Sequence, residues 1–431
     1  MLVLKVLLLL LYGVGNIGCS TVPDNTTDML SLLGFKEAIT NDPLGVLSNW
    51  NKSIHFCSWK GVWCSPKHPG RVTALNLAGQ GLSGTIAASV GNLTSVRSVD
   101  LSSNNFSGQI PHLANLQKMQ VLNLSFNTLD GIIPDTLTNC SNLRKLDLYT
   151  NLLKGMIPLA IGLLRNLVYI DLSRNNLTGT IPASLKNISL LGKIYLQDNQ
   201  LEGSIPDELG QFSNISLMAL GANRLSGGTL PTNMGDHLTY LRKLLMGHNM
   251  LEGHIPASIS NASMLEDIVL QSNNFTGRIP TSLRKLLRLS ILDLQLNMLE
   301  AKDTEGWEYL DALRNCSVLR MLALSNNQLQ GVIPNSIGCL PSTLQYLILG
   351  GNTLSGIIPP SIGNLSGLIL LALDENSLAG TIDQLIGNLK NLQYLHLEEN
   401  NFAGTIPPTI GNLTELTELY LMKNDFIGSI P

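Results

Sequence analysis

The stretch "LQYLHLEENNFAGTIPPTIGNLTELTELYLMKNDFIGSIP" (residues 392–431) contains almost the same phrase twice. The phrase follows the frame LxxLxLxxNxLxGxIP, which can be laid along nearly the whole 431-residue chain. A fixed period of this length predicts a solenoid, because one unit cannot bury its own apolar face and a stack of units buries a shared one. The second copy stops at Pro431 in mid-phrase, so we expect the last unit to be truncated.

One asparagine closes each LxLxxN segment and marks the repeat, with Gln80 in its place in the first copy. Most steps between successive markers are 24 residues, which gives fifteen units. The amide of asparagine offers both donors and an acceptor, so it can satisfy backbone groups where a strand turns away. The marking residues are Asn104, Asn127, Asn151, Asn175, Asn199, Asn223, Asn249, Asn273, Asn297, Asn327, Asn352, Asn376, Asn400 and Asn424.

The residues before each marker indicate a short strand. In "VRSVDLSSNN" (residues 96–105), Val99 and Leu101 alternate with polar residues, as in a strand with one buried face. Strands stacked about 4.8 Å apart would give fifteen units a length of roughly 70 Å. The following GxIP supplies a permissive glycine, a buried isoleucine and a proline of fixed φ, which suit a tight corner. We therefore expect an α/β repeat solenoid.

Composition and the first residues bound the function. The apolar run within residues 1–22 has the length of a signal peptide, and no later stretch is long and apolar enough to span a bilayer, so we expect the chain as written to be secreted with no anchor. Net charge is −4 with no long basic run, which argues against nucleic acid as a partner. Charged residues make up only 13% and leucine is plentiful, which argues against disorder.

The motif LSxNxLxGxIPxxxGNL resembles the plant-type leucine-rich repeat. The stretch "DMLSLLGFKEAITNDPLGVLSNWNKSIHFCSWKGVWCS" (residues 28–65) resembles the N-terminal cap of plant leucine-rich-repeat receptor-like kinases. The irregular unit at residues 297–347, which contains "NMLEAKDTEGWEYLDALRNCSVLRMLALSNNQLQG", resembles a grass-rich subfamily that contains immune pattern-recognition receptors.

The resemblance implies a right-handed superhelix with parallel strands on its concave face and a disulfide in the N-terminal cap. We expect a signal peptide at 1–22, the cap at 24–70 and about fifteen repeats at 71–431. In the family such an ectodomain is followed by a membrane helix and a Ser/Thr kinase at the plasma membrane. Neither segment is present in this sequence, nor is the family's usual C-terminal cap.

Cysteines and sequons fit a secreted chain. Cys57 and Cys64 predict a disulfide, as in the family cap. The flanking His55 and His68 would bring the number of potential zinc ligands to four, so a zinc site is the alternative. Cys316 and Cys339 fall at nearly equivalent places in adjacent units, so they form either a bridge or two free thiols. We expect roughly two-thirds of the N-x-S/T sequons to carry a glycan. The sequons are Asn25, Asn51, Asn92, Asn105, Asn123, Asn139, Asn176, Asn187, Asn214, Asn261, Asn274, Asn315, Asn364 and Asn412.

No catalytic constellation is present. The chain lacks a GxxxxGK[ST] loop, an HExxH motif, a GxSxG elbow and the kinase motifs. We therefore expect a non-enzyme without cofactors, whose function is surface recognition of a peptide or microbial ligand, with a co-receptor ectodomain as a further partner that the resemblance implies. A secreted inhibitor of cell-wall-degrading enzymes and a truncated fragment without function are the alternatives.

Residues between the apolar positions of each strand face outward along the inner curve, so they predict where a ligand binds. Tyrosine and arginine are frequent interface anchors, because they bury much area and keep a polar handle. One predicted cluster comprises Phe126, Tyr149, Tyr169, Arg174, Lys193, Tyr195 and Asp198, and a polar, acidic one near the end comprises Tyr394, His396, Glu398 and Tyr420. Asn123 also falls on this face, where a glycan would block part of it. The middle units carry small or apolar residues at these positions, namely Ala219, Gly221, Ala222, Val269 and Ala323.

Overall fold

The alternation of apolar and polar residues produces one short strand per repeat. The computed structural model describes residues 25–431, so the predicted signal peptide lies outside the described residues. Strands of successive repeats pair in register, with Val99 opposite Leu122 and Leu122 opposite Leu146. Because the same strand position is buried in unit after unit, the leucines form one continuous apolar core.

The concave sheet contains sixteen strands. Its first strand belongs to the cap and pairs antiparallel with the second, and every later pairing is parallel. The strands in spatial order are Val62–Cys64, Val72–Asn76, Ser98–Asp100, Val121–Asn123, Lys145–Asp147, Tyr169–Asp171, Lys193–Tyr195, Leu217–Ala219, Lys243–Leu245, Asp267–Val269, Ile291–Asp293, Met321–Ala323, Tyr346–Ile348, Leu370–Ala372, Tyr394–His396 and Glu418–Tyr420.

A second set of strands follows the ladder asparagines and forms two lateral sheets of eight strands each. The first contains Ile39–Asn41, Ser83–Thr85, Asn105–Gly108, Thr128–Gly131, Leu152–Met156, Asn176–Gly179, Gln200–Gly203 and Arg224–Leu225. The second contains Glu252–His254, Asn274–Gly277, Met298–Ala301, Gln328–Val332, Thr353–Gly356, Ser377–Gly380, Asn401–Gly404 and Asp425–Phe426. A single bridge between Ser226 and Met250 joins the two where the repeat is 26 residues long instead of 24.

Helical segments lie between the lateral strands and the next concave strand. Among the described residues, two segments are α-helical, Asn25–Glu37 in the cap and Tyr309–Leu313 in the irregular unit. Within residues 25–431, no helix is long and apolar enough to cross a membrane. The 3₁₀-helices are Phe56–Ser58, Ala88–Asn92, Asp135–Asn139, Leu159–Leu163, Ala183–Asn187, Asp207–Gln211, Ala257–Asn261, Thr281–Lys285, Glu305–Trp307, Asn335–Cys339, Pro360–Asn364, Gln384–Asn388 and Pro408–Asn412.

The marking asparagines form a hydrogen-bonded ladder through the core. Asn175 is representative: its Nδ2 donates to the carbonyls of Leu148, Leu172 and Ser173, at 3.0–3.1 Å. Its Oδ1 accepts from the backbone N–H of Leu153 in the preceding unit, at 3.0 Å. The amide therefore ties each turn to the one before it, as predicted, whereas an aspartate could not donate these bonds.

The residue before each ladder asparagine adopts a left-handed backbone conformation, although it is usually not glycine. Phe126 has φ 52°, Arg174 has φ 51° and Asp198 has φ 56°. Such values are uncommon for residues with a side chain. Here they are held by the ladder and by bonds such as the Arg174 N–H to the Gln197 carbonyl, at 3.0 Å. The turn thereby brings one additional side chain per unit to the rim of the concave sheet.

The N-terminal cap covers the first repeat. Asp28 in the first helix is completely buried, forms an ion pair with Arg71 at 3.1 Å, and accepts the Val72 N–H at 2.7 Å. Trp50 and Trp59 stack with ring centroids 5.2 Å apart. The cap thus covers the apolar core at the N-terminal end of the repeat stack.

The structure confirms the disulfide between Cys57 and Cys64. The pairing of Cys316 with Cys339 is not formed, and both are free thiols. Cys339 is the last, exposed residue of a 3₁₀-helix, whereas Cys316, like Cys140, occupies the buried position one residue later in the repeat. Because of this one-residue offset, the Cys316 side chain lies in the core and the Cys339 side chain lies on the surface. Burial also raises the pKa of Cys316 to about 11, which keeps it a protonated, inert thiol.

Candidate functional site

The predicted residues lie on neighbouring concave strands and the turns that follow them, and are here called the aromatic patch (Phe126, Tyr149, Tyr169, Arg174, Lys193, Tyr195 and Asp198). Along its rim, Phe126 meets Tyr149 edge to face with ring centroids 4.9 Å apart. The Arg174 guanidinium lies 5.6 Å from the centroid of Tyr149 and 3.6 Å from an Asp198 carboxylate oxygen. Phe126 remains 50% exposed, so the rim offers an apolar surface beside a positive charge.

A second line of contacts runs through the middle of the aromatic patch. Tyr169 packs against Tyr195 with ring centroids 5.6 Å apart, and its hydroxyl donates to the Asp171 carboxylate at 3.0 Å. Burial raises the pKa of Asp171, and the nearby Asp147 carboxylate adds to the increase, although hydrogen bonds from Ser173 and Tyr169 oppose it. Burial and these two carboxylates also raise the pKa of Tyr169, which therefore stays a neutral donor.

Lys145 adjoins the aromatic patch at Tyr169 but was missed by sequence reasoning. Its Nζ lies 5.1 Å from the Tyr169 ring centroid and 3.1 Å from an Asp147 oxygen. The signal was present in the register, because Lys145, Tyr169 and Lys193 occupy the same strand position in three successive units. Reading the strand positions as columns, rather than unit by unit, would have found it.

Beside the aromatic patch lies a shallow depression of about 240 Å³, here called the central depression. It occupies the middle units, whose outward positions carry small or apolar residues in the sequence, because these small side chains leave room above the sheet. Its lining consists of Tyr195, Gln197, Asp198, Ala219, Gly221, Ala222, Leu245, Gly247, His248, Val269 and Gln271. Tyr195 and Asp198 border both features, so the aromatic patch and the central depression form one continuous surface.

The polar, acidic residues predicted near the end of the sheet lie on its last two strands and the turn between them, and are here called the acidic patch (Tyr394, His396, Glu398 and Tyr420). His396 packs against Tyr420 with ring centroids 4.8 Å apart. The Tyr420 hydroxyl donates to Glu418 at 3.1 Å, and the His396 ring nitrogen lies 3.9 Å from the same carboxylate oxygen. Within the described residues, the His396 Nε2 and the Glu398 Oε2 are buried without a hydrogen-bond partner.

The structure does not bring the aromatic and acidic patches together. Seven strands separate Lys193–Tyr195 from Tyr394–His396, which corresponds to about 38 Å along the sheet. One side chain or short turn cannot touch both.

Glycosylation sequons leave most of the concave sheet clear. Those between Asn92 and Asn412 mainly end 3₁₀-helices or, like Asn105 and Asn176, begin lateral strands. Within residues 25–431, Asn123 is the sequon on a concave strand. Its Oδ1 accepts from the hydroxyl of Ser125, the third residue of the same sequon, at 2.7 Å. The concave location of Asn123 is therefore as predicted, and its occupancy stays a prediction.

Another cavity, of about 410 Å³, lies outside the concave sheet at the irregular unit, and its lining includes Lys302, Asp303, Trp307 and Glu308. No group of three or more histidine, cysteine, aspartate or glutamate side chains in residues 25–431 is placed to hold a metal ion. The concave sheet presents aromatic, cationic and small apolar side chains on successive strands, and such a surface can make non-covalent contacts.

Family models match along most of the chain, and all of them describe leucine-rich repeats. The leucine rich repeat N-terminal domain matches residues 25–65. A leucine-rich repeat region matches 303–427, and leucine rich repeat models match 94–153, 166–188 and 264–286.

Relatives in plants are similar over a short stretch. The putative receptor-like protein kinase At3g47110 of Arabidopsis thaliana is 45% identical over 85 residues, which is 20% of this chain and 8% of that protein. The LRR receptor-like serine/threonine-protein kinase EFR of the same plant is 44% identical over 88 residues, again 20% and 8%. The matched stretch thus spans less than a tenth of either relative.

Solved structures match over much more of the chain. The plant peptide hormone receptor RGFR1 in complex with RGF2 is 32% identical with a TM-score of 0.66, and the match covers 87% of this chain and 65% of that one. The ectodomain of the membrane receptor kinase GASSHO1/SCHENGEN3 from Arabidopsis thaliana, in complex with CASPARIAN STRIP INTEGRITY FACTOR 2, is 31% identical with a TM-score of 0.59, covering 94% and 59%. This chain is a leucine-rich-repeat protein whose relatives are plant leucine-rich-repeat receptor-like kinases, matched over their ectodomain-like region.

Proposed function

We propose that this chain is the extracellular ligand-recognition region of a plant receptor-like kinase and binds a peptide ligand on its concave sheet. The observation that carries the proposal is the aromatic patch, where Arg174 lies over Tyr149 and Tyr169 packs against Tyr195 on the open inner face. Exposed aromatic and arginine side chains that are already held by their neighbours lose little freedom on binding, which suits them as anchors.

Similar structures support the choice of a peptide as the ligand. RGFR1 with RGF2 and PEPR1 with AtPEP1 are ligand complexes, and each matches this chain with a TM-score of 0.66. The chain covers 65% and 73% of those two structures, so the activity of any longer protein is part of the proposal. In this proposal the chain itself performs no chemistry, and the predicted signal peptide and the Cys57–Cys64 disulfide fit an extracellular location.

The acidic patch is a second contact surface in this proposal. Glu398 has an unpaired buried carboxylate oxygen, so it can accept a hydrogen bond from a basic side chain without first breaking one. We infer that this patch receives a basic group of the ligand or of a co-receptor ectodomain. A Glu398→Gln variant would weaken such a contact, and the loss would shrink as the salt concentration rises.

The test is a binding measurement on the purified, secreted chain with a library of synthetic linear peptides. The double variant Arg174→Ala/Tyr195→Ala should weaken the best binder by about 30-fold, which corresponds to about 2 kcal/mol. The control is Arg165→Ala/Tyr240→Ala, which removes an exposed arginine and an exposed tyrosine from outside the concave sheet. Unchanged affinity in the first variant, or binding only of a purified cell-wall-degrading enzyme, would contradict the proposal.

A further inference from the structure

Three glutamines occupy the same position, two residues before the ladder asparagine, but their amides differ in pairing. The Gln295 Nε2 donates to Asp293 at 3.1 Å, and its Oε1 accepts the Ser325 hydroxyl at 2.5 Å. The Oε1 atoms of Gln197 and Gln271 are buried and have no hydrogen-bond partner within residues 25–431. Both of these glutamines line the central depression, and Gln295 does not.

Between the two unpaired glutamines, the same position is glycine in two successive units. A Cβ at Gly247 would lie 2.3 Å from the Gln271 Oε1, so the Gln271 amide lies directly over the Gly247 backbone. A Cβ at Gly221 would meet the Gly247 carbonyl oxygen at 2.9 Å. The absence of side chains at both positions opens the central depression and lets the amide fold down into it.

The floor and rim of the central depression indicate what it accepts. Ala219, Leu245 and Val269 form an apolar floor, because they occupy the outward strand position in three neighbouring units. The carboxylate in the lining, Asp198, is already paired with Arg174 at 3.6 Å, and the Lys243 Nζ outside the lining lies 2.6 Å from Asp267. A charged side chain would lose its hydration here without gaining a free partner, whereas an apolar one would gain by burial.

An unpaired buried acceptor costs free energy in the unbound protein. Because the Oε1 atoms of Gln197 and Gln271 hold no bond, their side chains can rotate toward a ligand without breaking one. The two backbones are three strand spacings apart, about 14 Å, which corresponds to about four residues of extended chain. An extended peptide presents N–H donors along such a length.

We propose that the central depression binds one uncharged, apolar side chain of an extended peptide, whose flanking backbone N–H groups donate to the Oε1 atoms of Gln197 and Gln271. This inference rests on the proposed function and specifies the peptide at one position. It assigns recognition to the small residues of the middle units, with the aromatic patch as the adjoining anchor surface.

The first experiment screens a positional-scanning library of acetylated, amidated octapeptides against the full secreted chain. One position should be enriched at least fivefold for leucine, isoleucine, phenylalanine or proline over aspartate, glutamate and lysine. N-methylation of the backbone nitrogens that flank this position should weaken the best peptide at least fivefold. Enrichment of charged residues, or no loss on N-methylation, would overturn the inference.

Variants then locate the site. Ala222→Leu fills the central depression without backbone strain, because Leu296 already adopts φ 54° at the equivalent position and Ala222 has φ 52°. This variant should weaken the best peptide at least tenfold. The control Ser103→Leu adds the same side chain at φ 55° in a distant unit and should change nothing. Equal affinities of wild type and Ala222→Leu would contradict the site.

The glutamines are tested in the same way. Gln197→Leu and Gln271→Leu should each weaken the best peptide at least fivefold, whereas Gln295→Leu, which removes an already paired amide, should not. Binding that is lost in Arg174→Ala/Tyr195→Ala but unaffected in Ala222→Leu and Gln271→Leu would overturn this inference and leave the proposed function standing. Failure of every library peptide to bind would contradict both.

Discussion

The aromatic patch and the central depression are built on adjacent strands of one sheet, yet their outward side chains behave in opposite ways. In the patch, large side chains satisfy one another, as Tyr169 does with Asp171 and Arg174 with Asp198. In the depression, side chains are small or absent at Ala219, Gly221, Ala222 and Gly247, and the Oε1 atoms of Gln197 and Gln271 at its edges are unpaired. The side chains of the aromatic patch are therefore held in place in the unbound protein, whereas the central depression has hydrogen-bond acceptors that are still free.

Beneath these surfaces the two regions are almost identical. Asn175 under the patch and Asn223 under the depression each donate to three carbonyls and accept one N–H, all at 3.0–3.1 Å. The comparison shows that the ladder and the buried leucines hold the fold, while the outward positions are free to differ. Stability and recognition should therefore respond to different substitutions.

The largest expected effect is on the ladder. Asn175→Ala and Asn223→Ala each remove four hydrogen bonds, including the one that the backbone N–H of Leu153 or Leu201 donates to the amide oxygen, so each should lower the free energy of unfolding by about 3–4 kcal/mol. Chemical denaturation followed by circular dichroism measures both. Because the two amides make matching bonds, the two losses should agree within about 1 kcal/mol. A much smaller loss for Asn223→Ala would show that the strands under the depression are held by something else.

A smaller effect separates the paired from the unpaired glutamines. Gln295→Leu breaks the bonds with Asp293 and Ser325, so it should lower the free energy of unfolding by about 1–2 kcal/mol. Gln271→Leu loses no bond at its Oε1 and removes a buried, unpaired acceptor, so it should leave stability unchanged or raise it slightly. Denaturant titrations of the two variants side by side decide this. Equal destabilisation would mean that the Gln271 amide is satisfied in the free protein.

The smallest effect concerns the pH dependence of the aromatic patch. Burial raises the pKa of Asp171, so the folded chain keeps its proton at a pH where the unfolded chain has lost it. Stability should then fall as the pH rises from the ordinary carboxyl range through the raised pKa. Asp171→Asn removes this term, so its melting temperature relative to wild type should rise with pH, by a few degrees at most. Asp130→Asn, at an exposed position, is the control, and a pH-independent difference for Asp171→Asn would refute the assignment.

Most of the fold could be predicted from the sequence, because the period and the residue types report directly on burial. The asparagine at each marker implied an amide that both donates and accepts, and Asn175 does so. The position of each side chain within a turn was harder to predict. Cys316 and Cys339 differ by one residue in the repeat frame, and that single step separates a buried thiol from an exposed one.

The site could be predicted only where it consists of large side chains. Tyr149, Tyr169 and Arg174 were visible as anchors because aromatic and arginine residues stand out in a repeat. The central depression was not visible, because it arises from the missing side chains of Gly221 and Gly247 and from the position of the Gln271 side chain over Gly247. A cavity is formed by residues of several paired strands, so it cannot be recognised when each repeat is considered separately.

The most direct test of the account is hydrogen exchange of the secreted chain, measured by mass spectrometry with and without its best library peptide. If the concave sheet is the recognition surface, protection should increase in its strands Lys145–Asp147, Tyr169–Asp171, Lys193–Tyr195, Leu217–Ala219, Lys243–Leu245 and Asp267–Val269, while the 3₁₀-helices such as Leu159–Leu163 should exchange as before. Protection confined to the 3₁₀-helices or the lateral strands, with the concave strands unchanged, would contradict it.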